Sequence, residues 1–222
     1  MNMSSLTLKP DTPFASNQLS KDVDPSVLTN IYNEALNIAV WQRTLSPTLK
    51  QVVASFVEAN PTFKTSMTVT ANNALPSLLE ELGKVDAITP LAKDVAELVD
   101  MFCCLFEQER VGLRLTVLSH AMCPRFHVDR VPCRLVTTYQ GPATQWLTNE
   151  GTNRSMLGHG HGGLPDHESG LYTHNNAIQQ LEAGDVSLLK GELWEGNEGT
   201  GLIHRSPSTD FPRLLLTLDF NA

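Results

Sequence analysis

Apolar residues recur at helical spacing through the first half of the chain and at alternate positions through the second. Asp24-Pro25-Ser26 reads as a helix start, with Pro at the first helical position, and Val27, Ile31, Ala35 and Ile38 follow three to four apart. Ser46-Pro47 opens a second helix carrying Leu49, Val52, Val53, Phe56 and Val57, which Asn60-Pro61 ends. Trp41, between the two, reads as a core plug. Phe63, Thr65, Met67 and Val69 suggest a strand. A short helix from Ala74 stops at Gly83. Thr89-Pro90 begins the strongest helix, with Leu91, Val95, Leu98, Val99, Phe102 and Phe106 as a core-facing stripe.

The pattern changes near Gly112. Strands are expected at 113–118, 125–131, 133–139, 144–147, 177–181, 186–190, 201–204 and 213–220, with a Gly- and His-rich loop at 149–175. Many short strands with regular turns indicate a sandwich or barrel. The expected class is α+β. Residues 1–20 form a loose arm, 21–111 a mostly helical region without evident chemistry, and 112–222 a jelly-roll core.

Composition narrows the function. Of 222 residues, 41% are hydrophobic and 18% charged, which suits a folded globular protein. A net charge of −8 with no basic run argues against nucleic acid as partner. No apolar run spans a bilayer and the first residues lack the features of a signal peptide, so a cytoplasmic protein without a membrane partner is expected. Cys103, Cys104, Cys123 and Cys133 form no C-x-x-C pair, and a disulfide framework is not expected. At least one of Cys103 and Cys104 reads as core packing. Cys123 and Cys133 flank the 125–131 strand and could reach a metal, which would favour zinc.

His127 and Asp129 are two apart, and on a strand such residues share a face. An imidazole and a carboxylate there make two thirds of a metal site, and His204 is the candidate third ligand. The bland alternative is a hydrogen-bonded surface pair, since His-x-Asp also arises by chance. Arg213 follows His204 by nine residues on the last expected strand. It could pair with a surface carboxylate. Arg130 and Arg134 read as structural ion-pair residues, and Tyr139 and Trp146 as sheet packing. Strict alternation from Asp129 would put Cys133 and Tyr139 on its side, but Pro132 breaks that count. His159, His161 and His174 lie in the long loop, read as a lid without a catalytic role, a metal tract being the alternative.

With His127-x-Asp129, the Ala-Gly-Asp-Val-Ser-Leu-Leu run at 183–189 and His204-Arg-Ser-Pro followed by Arg213, residues 112–220 resemble the Fe(II)/2-oxoglutarate-dependent dioxygenases and their double-stranded β-helix. That resemblance implies Fe(II) on His127, Asp129 and His204, and Arg213 gripping the far carboxylate of 2-oxoglutarate. It implies a hydroxylase-type oxygenase acting on a small molecule or protein side chain. For the near carboxylate of 2-oxoglutarate, Arg114, Arg134 and Tyr139 are candidates. The Phe-His-Val-Asp-Arg-Val-Pro-Cys run within 126–146 is also similar to an uncharacterised bacterial domain-of-unknown-function family. That similarity covers most of the chain and implies a link to zinc handling. A non-catalytic zinc-binding protein of the same fold is therefore the alternative, and a cupin-type isomerase or hydrolase a third.

Overall fold

The computed structural model describes residues 18–83 and 86–220. The expectation for residues 1–17 lies outside that range. In chain order the elements are β1 (Leu19–Asp22), β2 (Ile38–Trp41), α1 (Pro47–Ala59), β3 (Lys64–Val69), α2 (Ala74–Glu81), α3 (Thr89–Leu105), β4 (Val111–Leu118), β5 (Cys133–Gln140), β6 (Gln145–Leu147), β7 (Ile178–Gln180), β8 (Val186–Lys190), β9 (His204–Arg205) and β10 (Arg213–Phe220). Short 3-10 turns connect several of them. No helix among the described residues is long and apolar enough to cross a membrane.

Seven strands form one sheet in the order β1-β2-β8-β5-β10-β4-β3, and β7-β6-β9 form a second. Each central strand divides its side chains between the faces of the large sheet. Leu214, Leu216 and Leu218 of β10 join Leu113, Leu115, Leu135 and the stripe of α3 in the main core. Leu215 of β10, Val136 of β5, Leu189 of β8 and Val40 of β2 pack instead with Trp146, Leu181 and Leu202. That second core joins the two sheets, and the candidate site lies on its side of the large sheet. A third apolar cluster, with Phe126, Leu147, Leu171 and Ile203, ties the long loop to the small sheet.

The helix α1 forms where its capping signals stand. The Ser46 hydroxyl accepts from the amide of Leu49 at 3.2 Å, and the Asn60 side chain donates to the Phe56 carbonyl at 2.9 Å. In α3, Leu91, Val95, Leu98, Val99 and Phe102 are all buried, as a continuous stripe requires. Leu216, fully buried on β10 between β5 and β4, offers a direct check of the main core. Leu216→Ala should cost about 2–5 kcal/mol in urea unfolding, since little can move into the space left.

Three expectations need correction. The first half is not simply helical, because β1, β2 and β3 belong to the large sheet, which therefore crosses the expected boundary at residue 112. The first helix is a 3-10 segment, Pro25–Tyr32. The Asn33 side chain then accepts from Ala35 N–H at 2.9 Å and turns the chain, so Ile38 enters a strand. Ile38, Ala39 and Val40 are all buried because β2 is covered on both faces. Trp41 ends β2, half-buried, with its indole N–H on Val23 O at 3.0 Å.

The third correction concerns 125–131. Only His127 makes a β-bridge there, to His204. Beyond it, Asp129 O and Val131 O accept from Glu192 and Leu193 at 2.9 and 3.2 Å. Pro124 and Pro132 bracket the segment, and with no N–H to donate neither can extend a ladder past its ends.

Candidate metal centre

The bridge between His127 and His204 is made of two main-chain hydrogen bonds, of 3.0 and 2.9 Å. It brings the imidazoles to the same place, with ring centroids 4.6 Å apart. Each ring is turned in the same way. His127 Nδ1 lies 3.0 Å from Arg125 O, and His204 Nδ1 lies 3.1 Å from Leu202 O. A carbonyl can only accept, so in the neutral rings both Nδ1 atoms carry the proton and both Nε2 atoms keep a free lone pair. The Nε2 atoms approach Asp129, at 3.6 Å from Oδ1 for His127 and 3.3 Å from Oδ2 for His204. One ligand atom from each residue falls within 4.8 Å of the others.

Asp129 is held from behind. Arg134 donates to its Oδ2 at 2.6 Å and also forks onto Asp219, with contacts of 2.7 and 2.9 Å. Burial pushes the Asp129 carboxyl up, but His127, His204 and Arg134 outweigh it and hold the group well below the usual carboxylate range. For His127, burial pulls downward, but the protonated ring's bonds to Asp129 and the Arg125 carbonyl, together with the Asp129 charge, outweigh it and raise the pKa. Close approach of the main chain places this carboxylate. A Cβ at Gly191 would fall 2.7 Å from Asp129 O, so only glycine fits beside it.

Arg213 opens β10 on the same face of the large sheet and is 1% exposed. Its guanidinium meets only hydroxyls, namely Thr138 at 3.0 and 3.3 Å, Thr144 at 2.9 Å and Ser206 at 2.9 Å. No carboxylate among the described residues lies within 4.0 Å of it. Burial lowers its pKa to about 10, which still leaves it charged near neutrality. An unneutralised buried cation is costly, and hydroxyls solvate it without cancelling its charge. Ser206 lies two residues beyond His204, so the cradle and the imidazole share one segment. The turn after β5 passes so close to β10 that a Cβ at Gly141 would meet Pro212 O at 3.0 Å, and its φ is +86°.

The remaining sequence candidates fall elsewhere. Tyr139 points to the other face of the sheet, into the main core, where its hydroxyl donates to Asp94 at 2.6 Å. It is not placed to meet a ligand beside Arg213. Arg114 is largely exposed and lies 3.7 Å from Asp219. Arg134 is fully engaged by Asp129 and Asp219. Cys133 is buried on the helical face with Leu135, and burial pushes its thiol up, so it does not flank the triad. Cys123 and Cys104 are exposed and Cys103 is buried. In the loop, His161 accepts from its own Gly163 N–H, and neither His159 nor His174 joins the cluster. The hydroxyls of Thr138, Thr144 and Ser206 were not legible as partners of Arg213. The reversed phase of β5, which sends Thr138 inward and Tyr139 away, brings in the first, while Thr144 and Ser206 come from the ends of β6 and β9.

No curated protein matches the chain. Among solved structures, a dioxygenase for auxin oxidation from rice aligns at 11% identity and TM-score 0.52, over 84% of this chain and 74% of that one. Its Arabidopsis thaliana counterpart, solved with 2-oxoglutarate, aligns at 9% and 0.49, over 91% of each chain. A prolyl-4-hydroxylase of Pseudomonas putida aligns at 11% and 0.47, over 89% of this chain and 98% of that one. The first of these likenesses shows a shared fold. The family profile described as Protein of unknown function (DUF1826) matches residues 22–219, and the chain belongs to that family.

Proposed function

We propose that this protein is an Fe(II)- and 2-oxoglutarate-dependent oxygenase acting on a small molecule or a protein side chain. The observation that carries the reading is Arg213, a buried cation without an anionic partner among the described residues, whose hydroxyl cradle includes Ser206, two residues beyond His204. A dicarboxylate would supply the missing charge through a two-point fork. The donor set suits the ion as well. Two free imidazole nitrogens and one ionised carboxylate from one side are the facial set of non-haem iron proteins, and they leave other positions open.

Within this reading His127, Asp129 and His204 hold the ion. The carbonyls of Arg125 and Leu202 fix the tautomer and tilt of each ring. Arg134 ties back Oδ2 of Asp129 and fixes the carboxylate's orientation. Thr138, Thr144 and Ser206 orient the guanidinium that takes the far carboxylate of the cosubstrate. Val136 and Leu215 line the same sheet face and keep water from the charged groups. The bound ion and 2-oxo acid together would supply O₂ activation.

A visible charge-transfer band on adding Fe(II) and 2-oxoglutarate without O₂, followed by succinate formation when O₂ is admitted, is the expected result. Tight stoichiometric zinc with no such band would favour the non-catalytic alternative. The cysteines lend that alternative little, because Cys133 faces the other way and Cys123 does not join the cluster.

A further inference from the structure

We propose that Asp166, in the long loop, is a positioning residue for the metal centre, fixing the two histidine-bearing segments relative to one another. This inference rests on the metal reading above. The bridge that carries His127 and His204 is a single residue pair. In such a pair the two residues spend their amides and carbonyls on each other, so the amide of the preceding residue, Phe126, points outward. Phe126 is buried, and that amide needs a partner. Asp166 Oδ2 accepts it at 3.0 Å. The same oxygen takes the guanidinium of Arg205, the residue after His204, at 3.1 Å. One carboxylate oxygen thus holds the neighbour of one candidate ligand and the neighbour of the other.

Surrounding contacts stiffen this clamp. The Arg205 guanidinium lies over the Phe126 ring at 4.2 Å, and its Nε donates to Gln145 on β6 at 2.9 Å. Arg125 donates to Leu164 O at 2.7 Å and Gly163 O at 3.2 Å, holding the loop just before Asp166. Asp166 itself is 8% exposed, and its carbonyl accepts from the Ser169 hydroxyl at 3.0 Å. Without the carboxylate, the Phe126 amide loses its partner and Arg205 its ion pair, and the two segments are left to the bridge and to the Ser206 N–H bond to Cys123 O at 2.9 Å.

The test uses the full chain and Co(II) alone. Partners that orient metal ligands typically contribute about 10–100-fold in affinity. Asp166→Ala should fall at the upper end of that range. Asp166→Asn, whose amide oxygen can still accept from Phe126 but bears no charge for Arg205, should fall at the lower end. Both should shift the Co(II) d–d absorption relative to the parent protein, since the rings change their tilt. A variant with parental near-ultraviolet circular dichroism, affinity and spectrum overturns the inference. So does a lowered melting temperature with an unchanged spectrum, which would mean that the carboxylate only supports the loop. Should Asp166→Ala not fold, the Asn variant decides in the same way. A parent protein that binds no Co(II) at all is a different result, and it overturns the metal reading together with this inference.

Discussion

His204→Ala should abolish tight metal binding while leaving the fold in place. The bridge between His127 and His204 is made by main-chain atoms alone, so removing the imidazole does not break it. What is lost is one of three converging donors. The remaining imidazole and carboxylate are partly solvated and can be satisfied by water and by Arg134. Loss of a ligand should exceed the effect of losing an orienting partner, so affinity should drop by more than about 100-fold. Titration calorimetry with Mn(II) measures this directly. His159→Ala, in the exposed part of the loop, should bind as the parent does. If His204→Ala retains parental affinity, the ion is held elsewhere.

Arg213→Met should cost the protein its response to 2-oxoglutarate rather than its ability to fold. A ligand that binds only the folded state stabilises it by about 2.7 kcal/mol at a hundred times its Kd. The parent protein loaded with Mn(II) should show that gain, as a raised melting temperature. At the same concentration the variant should show about a third of that gain or less, because truncating one partner of a buried charge pair costs about 2–5 kcal/mol, or roughly 30-fold or more in affinity. Mn(II) binding itself should be unchanged, since Arg213 meets Thr138, Thr144 and Ser206 and not the triad. Arg213→Lys should recover little, because an ammonium cannot reproduce the fork. A variant that keeps the full 2-oxoglutarate shift would remove Arg213 from the site.

Much of this arrangement is legible in the sequence. The helices α1 and α3 and the strands β4, β5 and β10 follow from local signals that no tertiary contact opposes. Ligand type and spacing single out His127, Asp129 and His204, and the structure brings them together. What the sequence hid was long-range. Val27 and Ile31 show helical spacing, yet an Asn33 turn and the covered position of β2 send Ile38 into the sheet. Tyr139 could be assigned to either face until the phase of β5 was known, because Pro132 resets the alternation after Asp129. Asp166 carries no sequence signal, being one acid in a Gly-rich loop, and it acquires meaning only from Phe126 and Arg205, about 40 residues away in either direction. Carboxylates that act through neighbours of ligands have no fixed spacing to betray them.

The most direct measurement is anomalous diffraction from crystals grown with Mn(II) and 2-oxoglutarate. A single strong peak should lie among His127 Nε2, His204 Nε2 and an Asp129 oxygen, with one end of the dicarboxylate on the ion and the other forked onto Arg213. A peak at any other cluster, or a dicarboxylate that leaves Arg213 facing only its hydroxyls, would contradict it.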